Sequence, residues 1–298
     1  MSHKTILLIG PTGQVGWELQ RCVQTLGQVV AVDKVDTKIA QANIDLANPD
    51  SIRQIMRDVK PAIILNAAAY TAVDKAEQEP ELAQAINGTA LGILAEESLR
   101  LKSLLIHYST DYVFDGNYEQ PYIETDVVNP LGVYGATKLA GEQAIQAVGG
   151  HYFILRTAWV YGSRGKNFLL TMQRLAKERN ELKVVADQFG APTWSRMIAQ
   201  ATTNLLTQLH SPLYQLDIEG LSGIYHLTSA GKTSWYEFAK AIIAASNKQV
   251  SVLPLSTADY PTAAKRPANS VLSNAKLAET FGITLPAWDR ALNLCMET

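Results

Sequence analysis

Apolar residues in the first half of the chain fall in short, nearly unbroken runs separated by stretches of helical periodicity. The runs Thr5–Ile9, Ala62–Leu65 and Leu104–His107 lack the alternation of a half-solvated strand, as expected of strands covered on both faces. Gln28–Val32 and Phe153–Arg156 complete five predicted strands. Helical patterns occupy Gln14–Thr25, Pro49–Val59, Pro80–Arg100 and Leu131–Val148, and Asn48 followed by Pro49 reads as an N-cap with proline at the first helical position. This alternation predicts an α/β fold built on a Rossmann-type, doubly wound parallel sheet.

Past about residue 157 the rhythm loosens. Helices are expected over Asn167–Lys177, Trp194–Leu209 and Trp235–Ala245, with strands over Leu182–Val185 and Ile224–Leu227. Pro254, Pro261, Pro267 and Pro286 then interrupt a simple continuation of the strand–helix repeat. The expected organisation is a nucleotide-binding domain over 1–157, with later segments interleaved, and a smaller C-terminal α/β substrate domain over 158–298.

Composition narrows the function classes. The 298 residues are 47% hydrophobic and 18% charged, which excludes a disordered or fibrous chain. A formal net charge of −2 with dispersed basic residues argues against nucleic acid or an anionic membrane as partner. Cys22 and Cys295 cannot make a disulfide framework, and no apolar run is long enough for a membrane span, so a cytoplasmic protein is expected.

Candidate chemistry begins at the first strand–helix junction, where Ile9 leads into Gly10-Pro11-Thr12-Gly13-Gln14-Val15-Gly16. Glycines at this spacing let a backbone approach a pyrophosphate, and the following helix N-terminus offers N–H groups to phosphate. A tight turn without ligand is the alternative. Asp33 ends the second strand and suits the adenosine ribose hydroxyls of NADH, whereas Lys34 suits the 2′-phosphate of NADPH; both remain open. Asp45 and Leu46, and Ala67, Ala68 and Ala69 after Asn66, should reach the same edge, although the small residues equally suit close packing.

Tyr134 and Lys138 stand four apart on one helix face, a phenol and a cation that together can protonate a carbonyl oxygen. Tyr108-Ser109-Thr110-Asp111-Tyr112 closes the fourth strand with hydroxyls, and Thr110 precedes Tyr134 by 24 residues, a spacing that suits a Thr–Tyr–Lys triad.

In these three features the chain resembles the extended short-chain dehydrogenases. Further blocks resemble the dTDP-4-dehydrorhamnose reductase family: Asn66 to Asp74, Ser109 to Phe114, Arg156 to Tyr161, Asp187 to Thr193, and Arg266-Pro267. That resemblance implies an NAD(P)H-dependent reduction of the C4 ketone of dTDP-6-deoxy-L-lyxo-4-hexulose to dTDP-L-rhamnose. Tyr134 would donate the proton, Lys138 would be its electrostatic partner, and Thr110 would orient the ketone. Tyr108, the glycine turn, Tyr134 and Lys138 would also serve the cofactor, the lysine by hydrogen-bonding the nicotinamide ribose. Asp111, Tyr112, Trp159 and Arg266 would contact the dTDP-sugar, with a core aromatic as the bland alternative for Trp159.

The resemblance also implies Mg²⁺ at a dimer interface through an acidic cluster that includes Glu18. Here Arg196 stands where a second glutamate is expected, so neither a metal site nor that form of homodimer is predicted. Two other activities share these motifs: a sugar-nucleotide epimerase or dehydratase, and a non-catalytic NADP-binding subunit resembling the β subunit of methionine adenosyltransferase.

Overall fold

The structure, a computed structural model, describes residues 4–35, 37–211, 216–246 and 248–297. Six strands in chain order, β1 (Thr5–Ile9), β2 (Gln28–Asp33), β3 (Ala42–Asn43), β4 (Ile63–Asn66), β5 (Leu104–Thr110) and β6 (Tyr152–Thr157), join Gly223–His226 in one parallel sheet. From one edge the spatial order is Gly223–His226, β6, β5, β4, β1, β2, β3. The strand order reverses beside β1, which places a crevice at the carboxyl ends of β1 and β4.

Alternation along β1 explains why both faces must be covered. Ile6 and Leu8 pack into one core with Leu19, Ile198, Leu205 and Phe281, while Leu7 and Ile9 pack into another with Ile52, Met56, Leu94 and Ile145. Helices α1 (Gln14–Cys22) and Ser195–His210 cover the first face, and α2 (Pro49–Val59), Ala90–Leu101 and Val133–Val148 cover the second. The α2 start follows from Asn48, whose side chain accepts from Asp50 N and Ser51 N, with proline next.

A third core, containing Tyr161, Met172, Leu182, Trp194, Phe238 and Leu292, lies between the helices Phe168–Glu178, Trp235–Ala245 and Trp288–Met296. The chain therefore leaves the main sheet after β6, builds part of this third core, returns to the main sheet through Ser195–His226, and finishes with Trp288–Met296 in the third core.

The structure departs from the periodicity in three places. The expected helix Pro80–Arg100 is three pieces, Pro80–Gln84, a π-turn at Ala85–Thr89, and Ala90–Leu101. The turn is held by Asn87, which accepts from Tyr70 N and donates to Tyr70 O and Thr137 Oγ1. Pro254 lies inside a strand, Ser251–Leu255, which among the described residues pairs only with Glu181–Val185, an edge position where a missing N–H is tolerated. The helices Ala275–Phe281 and Trp288–Met296 are also absent from the sequence reading, their apolar spacing being too short to stand out.

Candidate active site

The glycine turn sits at the carboxyl end of β1. Gly10 has φ +80°, and a Cβ there would lie 2.9 Å from the Ala68 nitrogen. A Cβ on Gly16 would collide with the Gly10 carbonyl oxygen, so both glycines are required by the fold. Gly13 differs. Its φ is −70°, and a Cβ would meet nothing nearer than the Gly10 oxygen at 3.5 Å. Any small residue fits the protein at that position, so the bare backbone leaves room for a ligand. Gly13 is also the α1 N-cap; among the described residues no side chain caps it, and the first turn holds no acidic residue. The helix dipole is therefore open to a phosphate. These features fit a dinucleotide.

Neighbouring candidates converge on this crevice. Asp33 Oδ2 accepts from Thr12 Oγ1 at 2.6 Å, so the carboxylate that would meet a ribose also braces the turn. Lys34 Nζ is 3.6 Å from Asp45 Oδ1 at an exposed position. Ala67 N donates to Ile9 O at 3.0 Å, stitching the alanine run to the end of β1. Ala68 and Ala69 are partly exposed. Gln14 reaches away instead, accepting from Asn167 Nδ2 at 2.8 Å and tying α1 to the segment after β6. Val15 packs partly into the core beneath.

At two expected cofactor residues the side chain is engaged elsewhere. The Tyr108 phenol shares a 2.9 Å hydrogen bond with Thr202 on the opposite sheet face, which leaves its main chain as the only contact available. Leu46 is buried in the core with Ile44 and Ile52, which likewise leaves its main chain as the only contact available.

The triad lies at the end of β5. Thr110 Oγ1 donates to Asp111 Oδ1 at 3.1 Å, accepts from Tyr112 N at 3.1 Å, and stands beside the Tyr134 phenol. Burial pushes the Tyr134 phenol up to about 12, with the neighbouring Thr110 hydroxyl opposing it, so the side chain holds its proton at neutral pH. Burial also raises the Asp111 carboxyl to about 6, opposed by the nearby Ser270 and Thr110 hydroxyls. Tyr112 stands edge-on to Tyr134 with ring centroids 5.8 Å apart.

Lys138 is 1% exposed. Its Nζ contacts Tyr108 O at 2.6 Å and His107 Nε2 at 2.9 Å, and His107 Nδ1 lies 3.1 Å from Asn66 Nδ2. Burial lowers the amine to about 7, against the pull of Glu142, and holds His107 well below its usual range. Sequence patterning gives His107 no role in this site and marks Asn66 only as the residue before the alanine run. Strand alternation offers the signal: Tyr108 shares a face with Leu104 and Ile106, so His107 turns to the face that carries the Val133–Val148 helix.

Beyond Tyr112 the surface opens into a cavity of about 420 Å³, lined among others by Phe168, Leu175, Gln188, Trp235, Tyr260 and Arg266. This is room for a nucleoside or a similar group. Arg266 Nη2 donates to Asp74 Oδ2 at 2.8 Å, and its guanidinium charge is felt at the Tyr112 phenol, which relates the cavity to the triad. Trp159, at φ 47°, stacks on Trp235 with centroids 3.5 Å apart. Trp235 and the Phe168–Glu178 wall escape a reading of the sequence, because only tertiary packing brings them to Trp159.

The chain matches over residues 4–298 the family described as the RmlD substrate binding domain. It belongs to this family. It is 50% identical to a dTDP-4-dehydrorhamnose reductase from Burkholderia thailandensis over 98% of both chains. It is 46% identical to one from Escherichia coli, covering 95% of this chain and 94% of the relative. A solved dTDP-4-dehydrorhamnose reductase from Bacillus anthracis, in complex with NADP, superposes with a TM-score of 0.89 at 36% identity and full coverage of both chains. A UDP-glucose 4-epimerase from Thermus thermophilus shares the fold at 20% identity and a TM-score of 0.81, covering 98% of each chain.

At Glu18 the side chains present do not fit a divalent metal. Glu18 Oε2 lies 3.2 Å from Arg196 Nε, so the carboxylate already has a cation. Among the described residues no group of three or more His, Cys, Asp or Glu could hold a metal ion. Among them, too, no helix is long and apolar enough to cross a membrane.

Proposed function

We propose that the chain reduces the C4 ketone of dTDP-6-deoxy-L-lyxo-4-hexulose to give dTDP-L-rhamnose, using NADPH or NADH. The observation that carries this reading is a protonated Tyr134, next to Thr110, beside a crevice whose Gly13 leaves room for a dinucleotide. The relatives named as this reductase and the NADP-bound structure support it. A reaction that draws on reduced nicotinamide and a nucleotide sugar suits the cytoplasm.

The residues divide the work as follows. Gly10, Gly13 and Gly16 shape the turn that receives the pyrophosphate, with the α1 N-terminus behind it. Asp33 or Lys34 meets the adenosine ribose. The wall of Arg266, Trp235, Phe168 and Gln188 receives the nucleotide of the substrate, and Asp111, Tyr112 and Trp159 flank the sugar. Reduced nicotinamide, when bound, supplies the hydride. Thr110 orients the ketone oxygen, and Tyr134 gives its phenolic proton to that oxygen as negative charge develops there. A Lys138 ammonium stabilises the phenolate that remains.

Incubating the protein with the 4-keto-sugar nucleotide and reduced cofactor tests the reading. Stoichiometric loss of reduced-nicotinamide absorbance with formation of the 6-deoxy sugar is expected. Cofactor binding without turnover would favour the non-catalytic subunit, and interconversion without net oxidation of cofactor would favour an epimerase.

A further inference from the structure

We propose that Asn66 and His107 are positioning residues for Lys138, presenting its amine in the unliganded protein as a hydrogen-bond acceptor rather than as an ammonium. The inference deepens the reductase reading and rests on it for its catalytic consequence. Its basis is a count of protons along a buried chain of side chains.

The Ala68 N–H donates to Asn66 Oδ1 at 3.2 Å, which fixes the orientation of that amide. Asn66 Nδ2 therefore faces His107 Nδ1 at 3.1 Å, and an amide nitrogen can only donate. Nδ1 must hold the lone pair, so the ring hydrogen sits on Nε2. Nε2 lies 2.9 Å from Lys138 Nζ, and its N–H needs an acceptor there. An ammonium has no lone pair to offer; a neutral amine has one. The Tyr108 carbonyl at 2.6 Å takes an amine hydrogen, and every bond in the series then has one donor and one acceptor.

Bulk solvent cannot relieve a mismatch, because Asn66, His107 and Lys138 are 0%, 1% and 1% exposed. A cationic Lys138 would require the other histidine tautomer and a rotated Asn66 amide, leaving the Ala68 N–H without its acceptor. Ala68 packs directly on Gly10, so the proton count at Lys138 is tied to backbone that borders the dinucleotide crevice. Other charged and titratable groups flank this helix. Glu142 lies one turn beyond Lys138 and is itself paired with Arg156 of β6 at 2.6 Å. Asp111 and Tyr134 lie at the catalytic end, and Glu77 accepts from Val133 N at the helix start. Only Glu142 among them favours the ammonium, and it is held by Arg156.

Catalysis needs Lys138 charged to assist Tyr134, so this hydrogen-bond series sets the pH above which activity is lost. Two variants invert it. In Asn66→Asp one carboxylate oxygen keeps the Ala68 bond while the other accepts from an Nδ1–H, which turns Nε2 into an acceptor for the ammonium. In His107→Gln the amide can turn its oxygen to Nζ. Either change should move the basic limb of the kcat/KM profile upward by about one pH unit or more, the usual size of such a bonding change.

The experiment records nitrogen-15 histidine spectra of the ligand-free protein, assigns His107 from the His107→Gln difference, and measures both pH profiles. Support is an Nε2–H tautomer that does not titrate near neutrality, switching to Nδ1–H in Asn66→Asp, with the basic limbs raised. If one variant does not fold, the other still supplies the assignment and a profile. An Nδ1–H tautomer in the native protein overturns the proposal, as do unmoved limbs in the folded variants. A protein inactive on the keto-sugar would overturn the reductase reading alone, since the spectra need no substrate.

Discussion

Gly13→Ala separates what the fold needs from what a ligand needs. At Gly13 the new methyl would meet only the Gly10 oxygen at 3.5 Å and the Ala67 oxygen at 4.0 Å, ordinary van der Waals contacts. The φ of −70° suits alanine. Alanine is a poorer N-cap than glycine, a loss of about 0.5–1 kcal/mol. It also restricts the unfolded chain, a gain of about 0.4–1 kcal/mol, so the two effects nearly cancel. Thermal unfolding should shift by no more than a few degrees. Dinucleotide affinity should fall at least about tenfold, or 1.4 kcal/mol, because the methyl occupies the space left for the pyrophosphate. Gly16→Ala is the control. Its methyl would collide with the Gly10 carbonyl oxygen, and helix propensity returns at most about 1 kcal/mol against that collision. It should destabilise the protein by roughly 1–3 kcal/mol. Paired calorimetry and fluorescence titration with NADPH read both quantities. A Gly13→Ala protein that binds NADPH as tightly as the native chain would refute the assignment of this turn to the pyrophosphate.

Asp33→Ala should weaken NADH more than NADPH, since the ribose diol loses an acceptor, while Lys34→Ala should do the reverse; a ratio of affinities unchanged by both would place the ribose elsewhere. Turnover should survive exhaustive chelation, and sedimentation should not respond to added Mg²⁺, because Arg196 occupies the Glu18 carboxylate. Loss of activity or of a dimer on chelation would show that other carboxylates assemble a site.

The central sheet was legible because its strands are buried on both faces. Thr5–Ile9 and Pro49–Val59 match the structure residue for residue, and β4 and β6 differ from their predicted spans by a residue at either end. Gly10, Thr110, Tyr134 and Lys138 were legible because backbone geometry and helix spacing constrain them locally. The hydrogen-bond series through Asn66 and His107 was not, since it joins two neighbouring strands to a helix and exists only after folding. Tyr108 shows the limit of a resemblance: it implies a cofactor role, whereas alternation with Leu104 and Ile106 turns the phenol toward Thr202 on the other face of the sheet.

The most direct test of the central claim is turnover by Tyr134→Phe on the 4-keto-sugar nucleotide, measured beside its affinity for NADPH. The substitution removes the phenolic proton and leaves the ring against Tyr112. Turnover should fall by about 10²–10⁴-fold, the usual contribution of a placed acid, while NADPH affinity stays near that of the native chain. Near-native turnover would contradict the account, because the ketone oxygen would then take its proton from some group other than Tyr134.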